Sequence, residues 1–276
     1  MTSATLSHRA GHGTRRTGRG YGFRTVAAME WRKLRSVRST WYIVAIFGAA
    51  MIGMAVLALS HENYPQLPAA GRASFDPTHD CFIGLVLGQL LTGVLGVLAI
   101  TAEFSSGMIR ATFAAAPRRP LVLAAKAGVV GAVTLAAGEI TALAAFWAGQ
   151  AALPPPAPQA TLGQPGVLRA VLMAGAYPAL IALIGLGLGA LIRHTAGAIC
   201  ALVGVLFVLP LLFVPLGPSA QNTVQNLLPH PMAATSLTAV RPEAQVWSPW
   251  LTFALLCAYA TATLAAGAWA LARRDA

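Results

Sequence analysis

The chain has 276 residues, of which 57% are hydrophobic and 10% charged, with a formal net charge of +11 and a mean hydropathy of +0.66. A water-soluble domain needs more charge to cover its surface, so the composition excludes that class and points to a polytopic membrane protein. Nor does the positive charge mark a nucleic-acid binder, because its placement along the chain follows a membrane topology.

Residues 1–22 are rich in Gly, Ser, Thr, Arg and His and read as a disordered basic tail. His8 and His12 within it, set among Gly and Arg, read as solvated rather than metal-binding, and no metal site is expected. From Phe23 the pattern changes. Phe23, Val26, Ala27, Trp31, Leu34, Val37 and Trp41 share one arc at 100° per residue, with Arg24, Arg32, Lys33 and Arg35 away from it. Residues 23–39 therefore read as a basic amphipathic helix lying along the inner membrane surface and running into the first span, an elbow. Glu30, Trp31, Lys33 and Arg35 are its candidate functional residues. Glu30 is anomalous, because its angle sets an acid on the apolar arc; a bond to Lys33 three residues on, or to a partner's group, would account for it.

Six apolar runs follow, near Thr40–Leu59, Cys81–Ala102, Leu123–Ala148, Ala170–Ile192, Thr195–Leu216 and Trp247–Ala272. Crossing about 30 Å of hydrocarbon takes roughly 20 helical residues. These runs lack the alternation of a barrel strand, so the expected fold is all-α, with six transmembrane helices filling residues 40–272. Sixteen of the nineteen Lys and Arg fall in the N-terminal segment, the segments after spans two and four, and the tail 273–276; only Arg72, Arg169 and Arg241 fall in the alternate loops. By the positive-inside rule both termini are cytoplasmic. Trp41, Trp147, Trp247, Trp250 and Trp269 lie at or near span ends, as an aromatic belt requires, and Trp31 lies just before the first. The first apolar run begins only at Trp41 and is longer than a signal-peptide core, so a plasma-membrane, multi-pass location is expected.

Outside, residues 60–80 form a short Pro-containing loop, Pro154, Pro155 and Pro156 end the third span, and residues 217–246 read as short helices dipping toward the outer leaflet. Only Arg193-His194-Thr195 joins spans four and five, which must pair tightly. Gly185 and Gly189 share a helical face and permit close packing, while Pro178 and Pro210 would bend spans four and five. Cys81, Cys200 and Cys257 have neither disulfide nor metal spacing and read as small packing residues.

Enzyme motifs are absent: there is no zinc-binding His-Glu-x-x-His, no Gly-x-Ser-x-Gly elbow and no Gly-x4-Gly-Lys-Ser/Thr phosphate loop. The chain is not expected to be catalytic by itself, and any ATP hydrolysis would belong to another polypeptide. Glu139 is the one acid well inside a span, a placement that costs about 2.5–3.5 kcal/mol on insertion scales. It reads as a polar point on a substrate path or a proton-coupled group, with Gln89 and Thr92 of the second span as candidates to face it and no second intramembrane acid or lysine to relay to. The inner loop 103–122, polar and basic between two apolar runs, is where a soluble partner would push on the bundle.

Three stretches carry a family resemblance. Residues 30–41 (EWRKLRSVRSTW), residues 96–110 (GVLAITAEFSSGMIR) continuing to Ala125-Lys126, and residues 185–199 (GLGLGALIRHTAGAI) resemble the permease subunits of type-two ABC exporters, notably an actinobacterial drug-export-like branch. The resemblance runs from about Phe23 to the C-terminus; the outer His230-Pro231 departs from it. It implies a coupling helix within residues 103–119 and a dimer of permeases, homo- or heteromeric, docked on two cytoplasmic ATPase subunits that bind ATP and Mg. It also implies export of substrate, here expected to be lipophilic or amphipathic. On these residues Glu103, Arg110 and Arg119 would orient the coupling helix and meet the ATPase, and Gly107 would permit its bend. Membrane lipid is the other expected partner, because the same arginines suit anionic headgroups. The competing readings are an ion-gradient-driven transporter using Glu139 and a membrane anchor that transports nothing.

Overall fold

The computed structural model describes residues 22–115, 118–212, 215, 227–239 and 247–273. The predicted tail 1–22, apart from Gly22, therefore lies outside the described residues, as do most of the segment 217–246 and the last three residues of the chain. The described chain is helical throughout its regular parts: α1 (Phe23–Ser36), α2 (Arg38–Ser60), α3 (Ala69–Ala73), α4 (Pro77–Asp80), α5 (Leu85–Ser105), α6 (Met108–Ala115), α7 (Arg119–Ala152), α8 (Val167–Ile192), α9 (Thr195–Val203), α10 (Leu209–Leu212), α11 (Pro229–Leu237) and α12 (Pro249–Arg273). Six helices are long and apolar enough to cross a membrane: α2, α5, α7, α8, the run Thr195–Leu212 containing α9 and α10, and α12. This is a polytopic all-α membrane protein.

Boundaries shift from the expected ones where local chemistry intervenes. The second span starts at Leu85 rather than Cys81, because Asp76 caps the short α4, accepting from the amides of Thr78 and His79 at 3.1 and 3.2 Å. Cys81 sits in the turn that follows, buried; burial pushes its thiol up to about 12, against a hydrogen bond with Gln150. Cys200, by contrast, is exposed rather than packed. The third span is much longer than expected. Its 34 residues make about 50 Å of helix, more than the hydrocarbon needs, so α7 projects beyond it. Between α9 and α10 lies a π-helical turn, Gly204–Val208, which ends two residues before Pro210. A proline lacks the N–H that would bond four residues back and crowds that carbonyl, so the wider turn takes up the mismatch there. The fourth span instead runs unbroken through Pro178.

The middle of the bundle is α8, packed against α5 on one side, α7 on another, and α12 and α9 besides. Bilayer lipid is as apolar as Leu, so helices associate through close backbone approach rather than through water exclusion. A Cβ at Gly185 would strike the carbonyl of Gly93, one at Gly96 the carbonyl of Ala182, one at Gly138 the carbonyl of Gly175, and one at Gly187 the backbone of Thr263. Gly185 and Gly189 do share the α5 face, as their spacing predicts, while Gly187 serves α12. Outward-facing positions carry the belt: Trp31, Trp41, Trp147, Trp250 and Trp269 are all exposed.

α7 begins, and α8 and α12 finish, at one end of the bundle. Arg119 donates to the carbonyl of Leu271 at 3.1 Å and Arg193 to that of Ala270 at 3.1 Å. Both described chain termini and most of the basic residues belong to this basic end. The link Arg193-His194 makes the tight turn expected, with Arg193 in the left-handed region (φ 60°) and His194 capping α9 through the amide of Gly197.

A buried charge cluster as candidate functional site

At the basic end four helices converge on four charged side chains. α1 supplies Glu30 and Lys33, the last turn of α5 supplies Glu103, the short α6 supplies Thr112, and the second turn of α7 supplies Lys126. Glu30, Glu103 and Lys126 are 3–4% exposed, so no bulk water compensates their charge. Lys33 Nζ donates to Glu30 Oε1 at 2.9 Å, to Glu103 Oε1 at 3.0 Å and to Thr112 Oγ1 at 3.2 Å. Lys126 Nζ donates to Glu103 Oε1 at 2.7 Å and to Glu30 Oε2. The Thr112 hydroxyl donates to Glu103 Oε2 at 3.3 Å. Two carboxylates and two ammonium groups leave the cluster formally neutral, and nearly every oxygen and proton has a partner, which is the condition for a buried ionic group to be tolerated. Burial alone would lower the Lys33 pKa; its bonds to Glu30 and Glu103 outweigh that and hold it above the ordinary lysine value.

This explains the acid on the apolar arc of α1. Glu30 bonds to Lys33, one of the two partners expected, and also reaches Lys126, which is 96 residues away in sequence. The arc itself is rearranged. Val26 and Glu30 are the buried positions and face α7, while Phe23, Trp31 and Val37 are exposed. Trp31 and Ala27 border a shallow apolar groove with Gly128 and Val129 of α7, and Arg35 is exposed, its carbonyl accepting from Trp41 Nε1 at 3.3 Å.

The loop after α5 turns on a glycine. α5 ends at Ser105, and Gly107 takes φ +69°, a left-handed conformation that costs most residues about 1–2 kcal/mol and glycine little. α6 then lies with Ile109 and Thr112 buried and with Met108, Arg110, Ala111 and Ala114 exposed. The four residues expected to serve the loop separate into different tasks. Gly107 makes the bend and Arg110 is exposed. Arg119 bonds to Leu271 and stacks over the Phe113 ring at 5.4 Å. Glu103 is turned inward, so it orients α6 from beneath and presents no free carboxylate to a partner.

The three residues expected on a substrate path do not come together. Gln89 is fully buried and accepts from the Tyr177 hydroxyl of α8 at 2.5 Å, and Thr92 donates back to the carbonyl of Gly88 at 3.0 Å. Glu139 lies on α7, its carboxylate over Gly175, with Oε2 buried and without a hydrogen-bond partner among the described residues. α5 and α7 both pack along α8, which stands between Gln89 and Glu139. Lys126 is buried near the start of α7. It is no relay for Glu139, however, being thirteen residues, or about 20 Å of helix, away.

Sequence reasoning missed Lys126 and Thr112. Lys126 had a usable signal, since a lysine three residues into a predicted apolar span needs an acid partner. Thr112 had none, because threonines are common in helices for many reasons. No family model matches the chain, and no curated protein matches it significantly.

Proposed function

We propose that this chain is the permease subunit of an ATP-driven exporter, moving a lipophilic or amphipathic substrate with energy from a separate ATPase subunit. The observation that supports it most is the fastening of α6. A short helix between the second and third spans, exposed on one face, is bonded through Glu103 and Lys33 to α1, α5 and α7 at once. A push on α6 is thereby shared by the spans rather than absorbed in a loop, the requirement for a two-state bundle biased from outside. In this reading ATP and Mg bind the partner, a second permease copy or sister completes the transporter, and the cell membrane is its location.

The test is co-expression with cassette ATPase subunits from the same genome, purification through a tag on this chain, and assay of ATP hydrolysis. Arg110→Glu, on the exposed face of α6, should weaken assembly or stimulated hydrolysis while the chain stays folded. A well-folded chain that neither binds nor stimulates the ATPase would remove the reading. A second reading, transport driven by a proton gradient, draws on the partnerless Oε2 of Glu139. It requires that Glu139→Gln abolish uptake or efflux that collapses with the gradient.

A further inference from the structure

Beneath α1, between α2, α5 and α7, lies a cavity of about 250 Å³. Its walls are apolar, with Leu34, Val37, Ile43, Leu98, Val129 and Val130 among them, and one end is closed by the charge cluster. An ammonium group has three donors. Lys33 uses three acceptors, but among the described residues Lys126 meets only Glu30 and Glu103, and Lys126 lines the cavity while 4% exposed. One buried N–H is therefore available at the head of an apolar chamber. Water does not suit the rest of that chamber, since a buried water needs two to four polar partners.

The surroundings indicate what does. The lining residues Val37 and Met108 are themselves about half exposed, at 47% and 48%, so the chamber communicates with the outer surface of the bundle. It sits at the basic end of the apolar helices α2, α5 and α7, where the positive-inside asymmetry places a leaflet boundary. Arg35 and Arg38, next in the chain to the lining residues Leu34, Val37 and Ser39, are exposed and cationic, suited to a phosphate. We propose that the cavity holds one acyl chain of a phospholipid from the leaflet at the basic end, with Lys126 donating to the ester carbonyl that heads the chain. The lipid then acts as a wedge between α1 and the spans, and occupancy sets how firmly α1 is held.

The test uses the purified full chain in vesicles of phosphatidylglycerol doped with a phosphatidylglycerol carrying a diazirine on one acyl chain, with cross-linked peptides read by mass spectrometry. Labelling should concentrate on residues 95–102 and 126–130. Ala102→Phe, at an exposed position that lines the cavity, should cut this labelling about tenfold, the effect of displacing a few buried methylenes. Labelling around Ile140 and Trp147, on exposed α7, should stay unchanged. An ether-linked probe without the carbonyl should label the cavity several-fold less. Even labelling of every exposed face, insensitive to Ala102→Phe, would mean bulk lipid only and overturn the site. Labelling that disappears as copies associate would assign the cavity to a second copy and also overturn it. Equal labelling by ester and ether probes would overturn the role of Lys126. None of these outcomes depends on the ATPase, so the site and the transport reading fail separately.

Discussion

The two ends of the bundle are fastened in different ways. At the basic end side-chain charge meets side-chain charge, with Glu30, Lys33, Glu103 and Lys126 drawn from three helices into one neutral group. At the opposite end Asp76 and Arg169 meet backbone instead, as Arg119 and Arg193 also do at the basic end. Asp76 accepts from the amide of Ala239 at 2.6 Å, and Arg169 donates to the carbonyls of Ser236 and Thr238 at 2.7 and 2.6 Å. The first arrangement joins helices whose positions are set by spans. The second pins a connecting segment, α11 and its C-terminal turn, onto the helix ends. Charge-to-charge fastening depends on every member being present, whereas backbone-directed bonds depend on the shape of the loop and tolerate changes of side chain elsewhere in it.

The sharpest way to break this contrast is to delete one charge. Lys126→Met leaves two buried carboxylates sharing Lys33, and breaking a buried pair this way costs about 3–5 kcal/mol. The melting temperature in detergent should fall steeply and hydrogen exchange in α1 should rise. Adding Glu30→Gln restores a neutral Lys33–Glu103 pair and should recover much of the loss. If the single and double variants are equally unstable, charge balance is not what holds the basic end. Next in size, Gly138→Ala drives a methyl group into the carbonyl of Gly175, midway between the two ends, and should cost about 1–3 kcal/mol by overpacking. Gly107→Ala should cost about 1 kcal/mol, felt as faster exchange in α6 alone, since no atom crowds that Cβ and only the left-handed backbone resists it.

The smallest effect separates the ends by pH. His79 of α4 and His230 of α11 border one small cavity with Tyr177 of α8, and Asp76 and Asp80 lie beside His79. The Asp80 bond raises the His79 pKa against the effect of burial; burial, helped by His79, lowers that of His230. The raised group contributes stability that is complete below about pH 6.5 and lost as pH rises through its folded value. The depressed group contributes stability that is complete above about pH 6.5 and lost as pH falls through its folded value. Acidification should therefore loosen α11 through His230 alone. Hydrogen exchange over residues 229–237 should rise at low pH in the wild type and not in His230→Phe.

The bundle was legible in the sequence because hydrocarbon imposes one requirement on every span, a continuous apolar run with aromatic ends, and the chain meets it six times. Gly107 was legible because a glycine between an apolar run and a short polar helix has few other uses. Glu30 announced itself as a misplaced acid, although its partners did not. Residues 23 and 96 positions apart meet in the cluster, and nothing local encodes such distances. The false grouping of Glu139 with Gln89 came from matching heights in two spans without knowing that α8 would stand between them. Helical periodicity gives depth along a span but not the angular order of helices around a bundle, which glycine contacts settle.

The cluster also bears on how the chain is made. Residues up to 115 carry Glu30, Glu103 and Lys33, two acids to one base, and the balancing Lys126 follows only with the third span. Until the third span is made, the nascent chain carries the second acid of the cluster without its balancing lysine. Seating of α1 and closure of α6 must wait until α7 is delivered, so a chain interrupted there cannot pass for a finished one.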